Sequence, residues 1–181
     1  MKTATRNLEE DHIHVLKLTD VIKAFVGTEK TNIEHIESII DIIKNFADGL
    51  HHAKEENLLF PALEKKGFSP KQGPVGVMLN EHAQGRNYVK GITDNLELFK
   101  KGNKAAVIAI YQNMTGYADL LVNHIMKENN ILFRMADNVL SDIEQKDLLG
   151  QFETIGQDRP EGTRANDYIN RINSLALFYK V

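Results

Sequence analysis

The sequence predicts an all-α protein, an up-down-up-down four-helix bundle with a C-terminal helical extension. Three observations carry that expectation. Proline occurs four times in 181 residues, so long stretches are free of the residue that breaks helices. In those stretches apolar residues recur at the helical period of about 3.6. Short joints bearing Gly and Pro separate them, which suits antiparallel neighbours. A chain of this length supports one domain with a real core. The bundle is expected over residues 1–140, and residues 141–181 as an extension packing on it.

The first helix is expected from near Thr5, as N-cap, to Gly27 at the position after its end. Leu8, Val15, Leu16, Leu18, Ile22 and Val26 form one stripe. His12 falls at the edge of that stripe, roughly 60° from Val15, and His14 lies off it. The second helix starts after Thr31 or Asn32 and runs to about Glu64. Ile36, Ile39, Ile40, Ile43, Phe46, Ala47 and Leu50 make its inner face. Continued at ~100° per residue, that wheel keeps His51 and Glu55 toward the inside and sends His52 and Glu56 toward the solvated side or to a supporting place. Pro61 is expected to kink or thin the last turns. Gly67, Pro70, Gly73 and Pro74 mark a loop. The third helix runs from about Val75 to Lys101, with His82 at the centre of a stripe of Met78, Leu79, Gly85, Val89, Ile92 and Leu96. Arg86 lies one turn further on and is expected to pair with Glu81 or to line the mouth of a site. The fourth helix runs from about Lys104 to Asn138. Its inner face is read as Ile110, Tyr117, Leu120, Leu121, Ile131, Met135 and Val139, and His124 and Glu128 lie in it. A short helix over 141–152 follows, capped by Ser141. The stretch GQDRPEGTRAN reads as loop, and 167–179 as a last segment folding back through Ile169, Ile172, Leu175, Leu177 and Phe178.

Composition narrows the function. Net charge is −3, which gives no basic footprint for nucleic acid and no polybasic patch for anionic membrane. The absence of cysteine removes disulfides, thiolate zinc sites, iron–sulfur ligation and cysteine nucleophiles. No apolar run approaches ~18 residues and no apolar leader opens the chain, so neither a membrane span nor a signal peptide is expected, and a cytoplasmic protein is the default.

The chemistry concentrates in two stretches. FADGLHHAKEENLLFP (46–61) and HIMKENNILF (124–133) each place a histidine four residues before a glutamate, a pair of metal-ligating groups on one helix face. The wheels send His12, His51, Glu55, His82, His124 and Glu128 inward together. Four imidazoles and two carboxylates in a dry core cost several kcal/mol each without partners. Two cations with bridging carboxylates would satisfy them. Imidazole plus carboxylate suits iron, manganese or zinc, and bridging carboxylates in a bundle core favour a dinuclear iron or manganese site.

With Asp11–His12, HHAKEENLLFP at 51–61, Glu81–His82 and HIMKENNILF at 124–133, the chain resembles the hemerythrin-like, or HHE cation-binding, family over roughly residues 5–140. The resemblance implies a non-haem di-iron centre that binds or reacts with dioxygen, nitric oxide or peroxide. Its ligands would be His12, His51, Glu55, His82, His124 and Glu128, with the two glutamates bridging. Members that carry dioxygen reversibly have a further histidine where this chain has Arg86, so a smaller ligand set points away from a pure carrier. It points instead toward sensing, stress defence or repair of iron centres, although repair proteins of the family usually bear a cysteine-containing N-terminal domain. A di-iron oxidase or peroxidase using the same site is the enzymatic alternative. A helical bundle with incidental histidines is the structural one. A homodimer is open to any of them.

Overall fold

The computed structural model describes residues 2–28, 31–157, 159–161 and 163–181. These residues form helices and turns, with no strand among them. Helix α1 is Ala4–Val26, α2 the continuous run over 33–64, α3 Gly73–Lys100, α4 the run over 106–139, α5 Asp142–Thr154 and α6 Ala165–Tyr179.

The caps explain most boundaries. Asn32 begins α2 by accepting from the His35 amide, and Ser141 begins α5 in a reciprocal capping box with Glu144. The start of α1 differs from expectation. Thr3, not Thr5, is the N-cap and accepts from Arg6. Thr5 lies buried within the helix, its hydroxyl donating to Asp137 at 2.6 Å. Gly27 closes α1 in a right-handed conformation (φ −74°), so no left-handed cap is used there. Gly67 and Gly102, at φ of +94° and +102°, do take the left-handed turn that ends a helix. Helix α5 starts as expected from its Ser141 cap, and the last helix starts at Ala165.

Two long helices contain π-helical turns. Helix α2 is α-helical over Ile33–Ile42, π-helical over Ile43–His52 and Glu55–Leu59, and α-helical again over Phe60–Glu64. Helix α4 is π-helical over Glu128–Leu132. The Phe60 amide donates five residues back to the Glu55 carbonyl, and the Phe133 amide to that of Glu128. Each such turn holds one residue more than an α-turn and moves the buried stripe by one position. This corrects the fourth helix. Ile131, Met135 and Val139 are 51%, 38% and 37% exposed, whereas Leu132, Phe133, Ala136 and Leu140 are buried.

Contacts run around the long helices: α1 packs on α2 and α4, α3 on α2 and α4. Helices α5 and α6 both lie against α1 and α2. Two apolar cores result. One holds Phe25, Phe46, Ile92 and Ile110 together with Tyr168 and Ile172 of α6. The other holds Leu8, Phe60, Met78 and Phe133 together with Leu148 and Phe152 of α5. Ile172 and Leu175 thus fold back as expected, Ile169 is half-buried, and Leu177 and Phe178 point outward. Helix α1 passes from the second core to the first, α2 from the first to the second, α3 back and α4 back again. The polar residues of interest occupy the layer between the cores on every one of the four.

Candidate metal centre

All six residues singled out by the sequence meet in that layer. His12, His51, Glu55, His82, His124 and Glu128 are each at most 2% exposed. Inward-facing ring nitrogens come into close pairs: His12 Nε2 lies 3.0 Å from His51 Nε2, and His82 Nε2 lies 3.1 Å from His124 Nε2. Glu128 reaches both pairs, 3.2 Å from His12 Nε2 and 3.2 Å from His124 Nε2. Glu55 does the same, 3.7 Å from His51 Nε2 and 3.4 Å from His82 Nε2. Phe133 stacks on His12 and Phe60 on His82, so the second core closes one side of the layer.

The outward ring nitrogens are held by acceptors, of which the sequence pointed to Glu56 as a supporting group and missed the roles of Asp11, Glu81 and Asn129. Asp11 of α1 takes His51 Nδ1 of α2 at 3.3 Å. Glu56 of α2 takes His82 Nδ1 of α3 at 2.7 Å. Glu81 of α3 takes His124 Nδ1 of α4 at 3.0 Å. Asn129 of α4 takes His12 Nδ1 of α1 at 2.7 Å. Each helix thereby orients the histidine of the next, in a closed ring. A carboxylate can only accept, so these contacts place the proton on Nδ1 and aim Nε2 inward, the arrangement a ligating imidazole needs. For Asp11 and Glu81 the signal was present in the sequence as an acidic residue directly before a histidine. It could not be assigned, because consecutive residues point about 100° apart on a helix and each acid serves a histidine on another helix.

His52 is the second correction. It is buried, 6% exposed, where the wheel put it toward solvent, because the π-helical winding of 43–52 turns it inward. Its Nδ1 meets Asp48 at 3.1 Å. His52, Glu55, His82 and His124 offer ligand atoms within 4.8 Å of one another, as do His12, His51, Glu55 and Glu128. Glu55 is common to both groups. The His52 ring, however, stacks on that of His82 with centroids 3.7 Å apart and 13° between planes. A cation in the plane of one ring would lie off the plane of the other, which sets His52 apart from the six. Glu56 takes the supporting place expected for it. Arg86 does not pair with Glu81. It donates to Asp48 at 2.6 Å and to Glu56 at 2.8 Å, while Glu81 pairs with Lys127 and His124. His14 is half-buried beside Phe46, and His35, remote from the layer, bonds the Tyr179 hydroxyl.

The electrostatics test whether these residues suit a cation. Both oxygens of Glu55 and both of Glu128 are buried without a hydrogen-bond partner. Burial raises the Glu55 carboxyl well above the ordinary range, and the charge of Glu128 adds to it. Burial opposes ionisation of Glu128 too, but His124 and His12 outweigh it and hold that carboxyl well below the ordinary range. Burial lowers His51 to about 4 against the pull of Asp11, and it lowers His52 and His82 as well. His124 goes the other way: Glu128 and Glu81 overcome burial and raise it to about 9. A layer that fastens a proton on one imidazole and leaves four carboxylate oxygens unpartnered is built to attract positive charge. The donor set, neutral imidazoles and buried carboxylates, fits divalent first-row metals.

Among known proteins, the family described as the hemerythrin HHE cation-binding domain matches residues 3–136. The chain is similar to the iron-sulfur cluster repair protein YtfE of Escherichia coli O157:H7, 33% identical over 88 residues, which are 48% of this chain and 40% of that protein. It is 34% identical over 88 residues, with the same shares, to YtfE of Cronobacter sakazakii. The chain thus matches well under half the length of these curated relatives. No solved structure matches significantly. The buried His/Glu layer and the match across all four long helices lead to one assignment: the chain belongs to the hemerythrin HHE cation-binding domain family.

Proposed function

We propose that this protein holds a dinuclear non-haem iron centre and uses it to bind or react with dioxygen, nitric oxide or peroxide, in sensing or stress defence. The observation that carries the reading is the four unpartnered oxygens of Glu55 and Glu128 facing four oriented imidazoles. In this reading His12, His51, Glu55, His82, His124 and Glu128 are the ligands, with Glu55 and Glu128 shared between two ions. Manganese or zinc satisfies the same donors. When bound, iron supplies redox chemistry and coordination positions open to a small ligand.

The chain's own residues do the rest. Asp11, Glu56, Glu81 and Asn129 fix the four rings. Phe60 and Phe133 keep water from the second-core side. Arg86 offsets part of the negative charge that Asp48 and Glu56 place next to His52 and His82. The alternating passage of α1 to α4 between the two cores supports an up-down-up-down four-helix bundle. That bundle is residues 1–140, with 141–181 as the packing extension. A cytoplasmic setting and a homodimer belong to the same proposal. Among the described residues no helix is long and apolar enough to cross a membrane.

A second reading, repair of damaged iron–sulfur centres, is favoured by the similarity to the iron-sulfur cluster repair proteins YtfE. It would use the same site as a source of iron. Elemental analysis of purified protein tests the shared core of both: two metal ions per chain are expected. His51→Ala and Glu128→Ala should each abolish stoichiometric binding, and His35→Ala should leave it intact. Full metal content in both ligand variants would sink the assignment. Spectra of the reduced, loaded protein after air or nitric oxide then separate the roles. A stable reversible band supports sensing; rapid oxidation with peroxide consumed supports an enzyme.

A further inference from the structure

The ligand set explains the polar layer but not the cavity beside it. Some 250 Å³ of space lies between α2, α3 and α4, ending on His52, His82 and His124. That is several times the roughly 30 Å³ share of one water molecule and far more than a diatomic gas requires. Ile43, Val89, Leu121 and the ring of Tyr117, all buried, make its apolar walls, while Lys44, Lys90, Thr93 and Asp94 also line it. Gly85 keeps it open: a Cβ there would already touch Tyr117, 3.5 Å away, so any longer side chain would have to extend into the space.

The polar end favours a neutral head over an anion. Arg86, on the cavity wall, is already shared by two carboxylates, Asp48 and Glu56. Glu81 adds a third carboxylate to the surroundings, paired with Lys127 and His124. Lys44, Arg86 and Lys90 line the space against Asp48, Glu81 and Asp94, so a carboxylate or phosphate entering here would find no net positive charge. A neutral oxygen head with an apolar tail meets histidines at one end and aliphatic walls along its length.

We propose that this cavity binds a small organic hydroperoxide, its oxygen head against His52, His82 and His124 and its short alkyl or aryl tail among Ile43, Val89 and Leu121. The proposal rests on the metal-centre reading and names the substrate class for its peroxide arm. Hydrogen peroxide and dioxygen have no use for an apolar chamber of this size.

The test uses metal-loaded protein and 2-phenylpropan-2-ol, the unreactive alcohol corresponding to cumene hydroperoxide, with binding followed by calorimetry. Saturable binding is expected in the wild type. Gly85→Leu should weaken it at least tenfold while leaving two metals per chain and the azide-induced absorption in place. Gly85→Ala should retain it. Val89→Phe, one turn further along the same face of α3, fills the same space and should reproduce the loss, so a folding failure of one variant, read by circular dichroism, does not shield the idea. With ascorbate as the two-electron donor, cumene hydroperoxide should be reduced to 2-phenylpropan-2-ol and water faster than hydrogen peroxide is reduced by the wild type, and not by the plugged variants. Absence of saturable alcohol binding in the wild type, or equal binding in both plugged variants, overturns the proposal. Protein that binds the alcohol but contains no metal would support the cavity as a ligand site and overturn the metal reading; protein with two metals and no alcohol binding would do the reverse.

Discussion

At the scale of single residues, the site depends on side chains that sit next to one buried histidine in sequence and serve a different one in space. Asp11 precedes His12 and holds His51; Glu81 precedes His82 and holds His124. The same contacts set a pH response in the metal-free chain. His51 is lowered to about 4 by burial, while an unfolded imidazole titrates near ~6.5. Between those values the unfolded chain binds a proton that the folded chain refuses. The stabilisation is therefore fully present above about 6.5 and is lost as pH falls through about 4. His52 and His82 are shifted in the same direction. His124, raised to about 9, contributes in the opposite sense: its part is complete below about 6.5 and disappears as pH rises through 9. Chelator-treated protein is thus expected to lose about 2 kcal/mol from His51 alone between pH 7.5 and pH 5, measured by urea unfolding. A His51→Gln variant, which lacks that imidazole, should lose correspondingly less over that window, and equal losses in the two proteins would contradict the buried, neutral state of His51.

At the scale of elements, the π-turns decide which residues face the buried polar layer. A strict α-wheel carries Ile131, Met135 and Val139 inward; the turn at Glu128–Leu132 replaces them by Leu132, Ala136 and Leu140. The turn at 43–52 brings His52 in beside His51. Glu55 and Glu128, the two carboxylates shared between the histidine pairs, each open a π-turn, which fits the tendency of such turns to occur at functional sites. Joints between elements are equally specific. Gly76, in the first turns of α3, lies under the loop before it, and a Cβ there would come within 2.8 Å of the Lys71 backbone carbon. Backbone cannot swing aside as a side-chain tip can. Gly76→Ala is therefore expected to destabilise the protein by about 1–2 kcal/mol, even after the gain of about 1 kcal/mol in helix propensity. Chemical denaturation reads this directly, and an unchanged or raised midpoint would show that the loop gives way.

At the scale of the whole molecule, four helices converge on one polar layer, so occupancy of that layer and stability of the fold are linked. A metal that binds only the folded chain adds ~2.7 kcal/mol at a hundred times its Kd. For a chain of this size, that corresponds to a rise in Tm of roughly 5–10 °C. Iron loading should produce that rise, a chelator should reverse it, and Glu128→Ala should show no metal-linked shift; equal Tm with and without metal would break the link. The sequence by itself determined the helical class, the four long helices to within a few residues, the extension and its Ser141 cap, and the convergence of six histidine and glutamate residues. It could do so because helix periodicity and capping are local, and because six ionisable groups phased inward leave few alternatives to a shared partner. Tertiary structure alone decided the rest: the entry of His52, the one-residue shift of the α4 stripe, the ring of acceptors from helix to helix, the pairing of Arg86 with Asp48 and Glu56, and the cavity kept open by Gly85. The reason is physical. A π-turn changes phase without a distinctive residue to announce it, and a hydrogen bond between side chains on different helices depends on how those helices are set against each other, which no local period encodes.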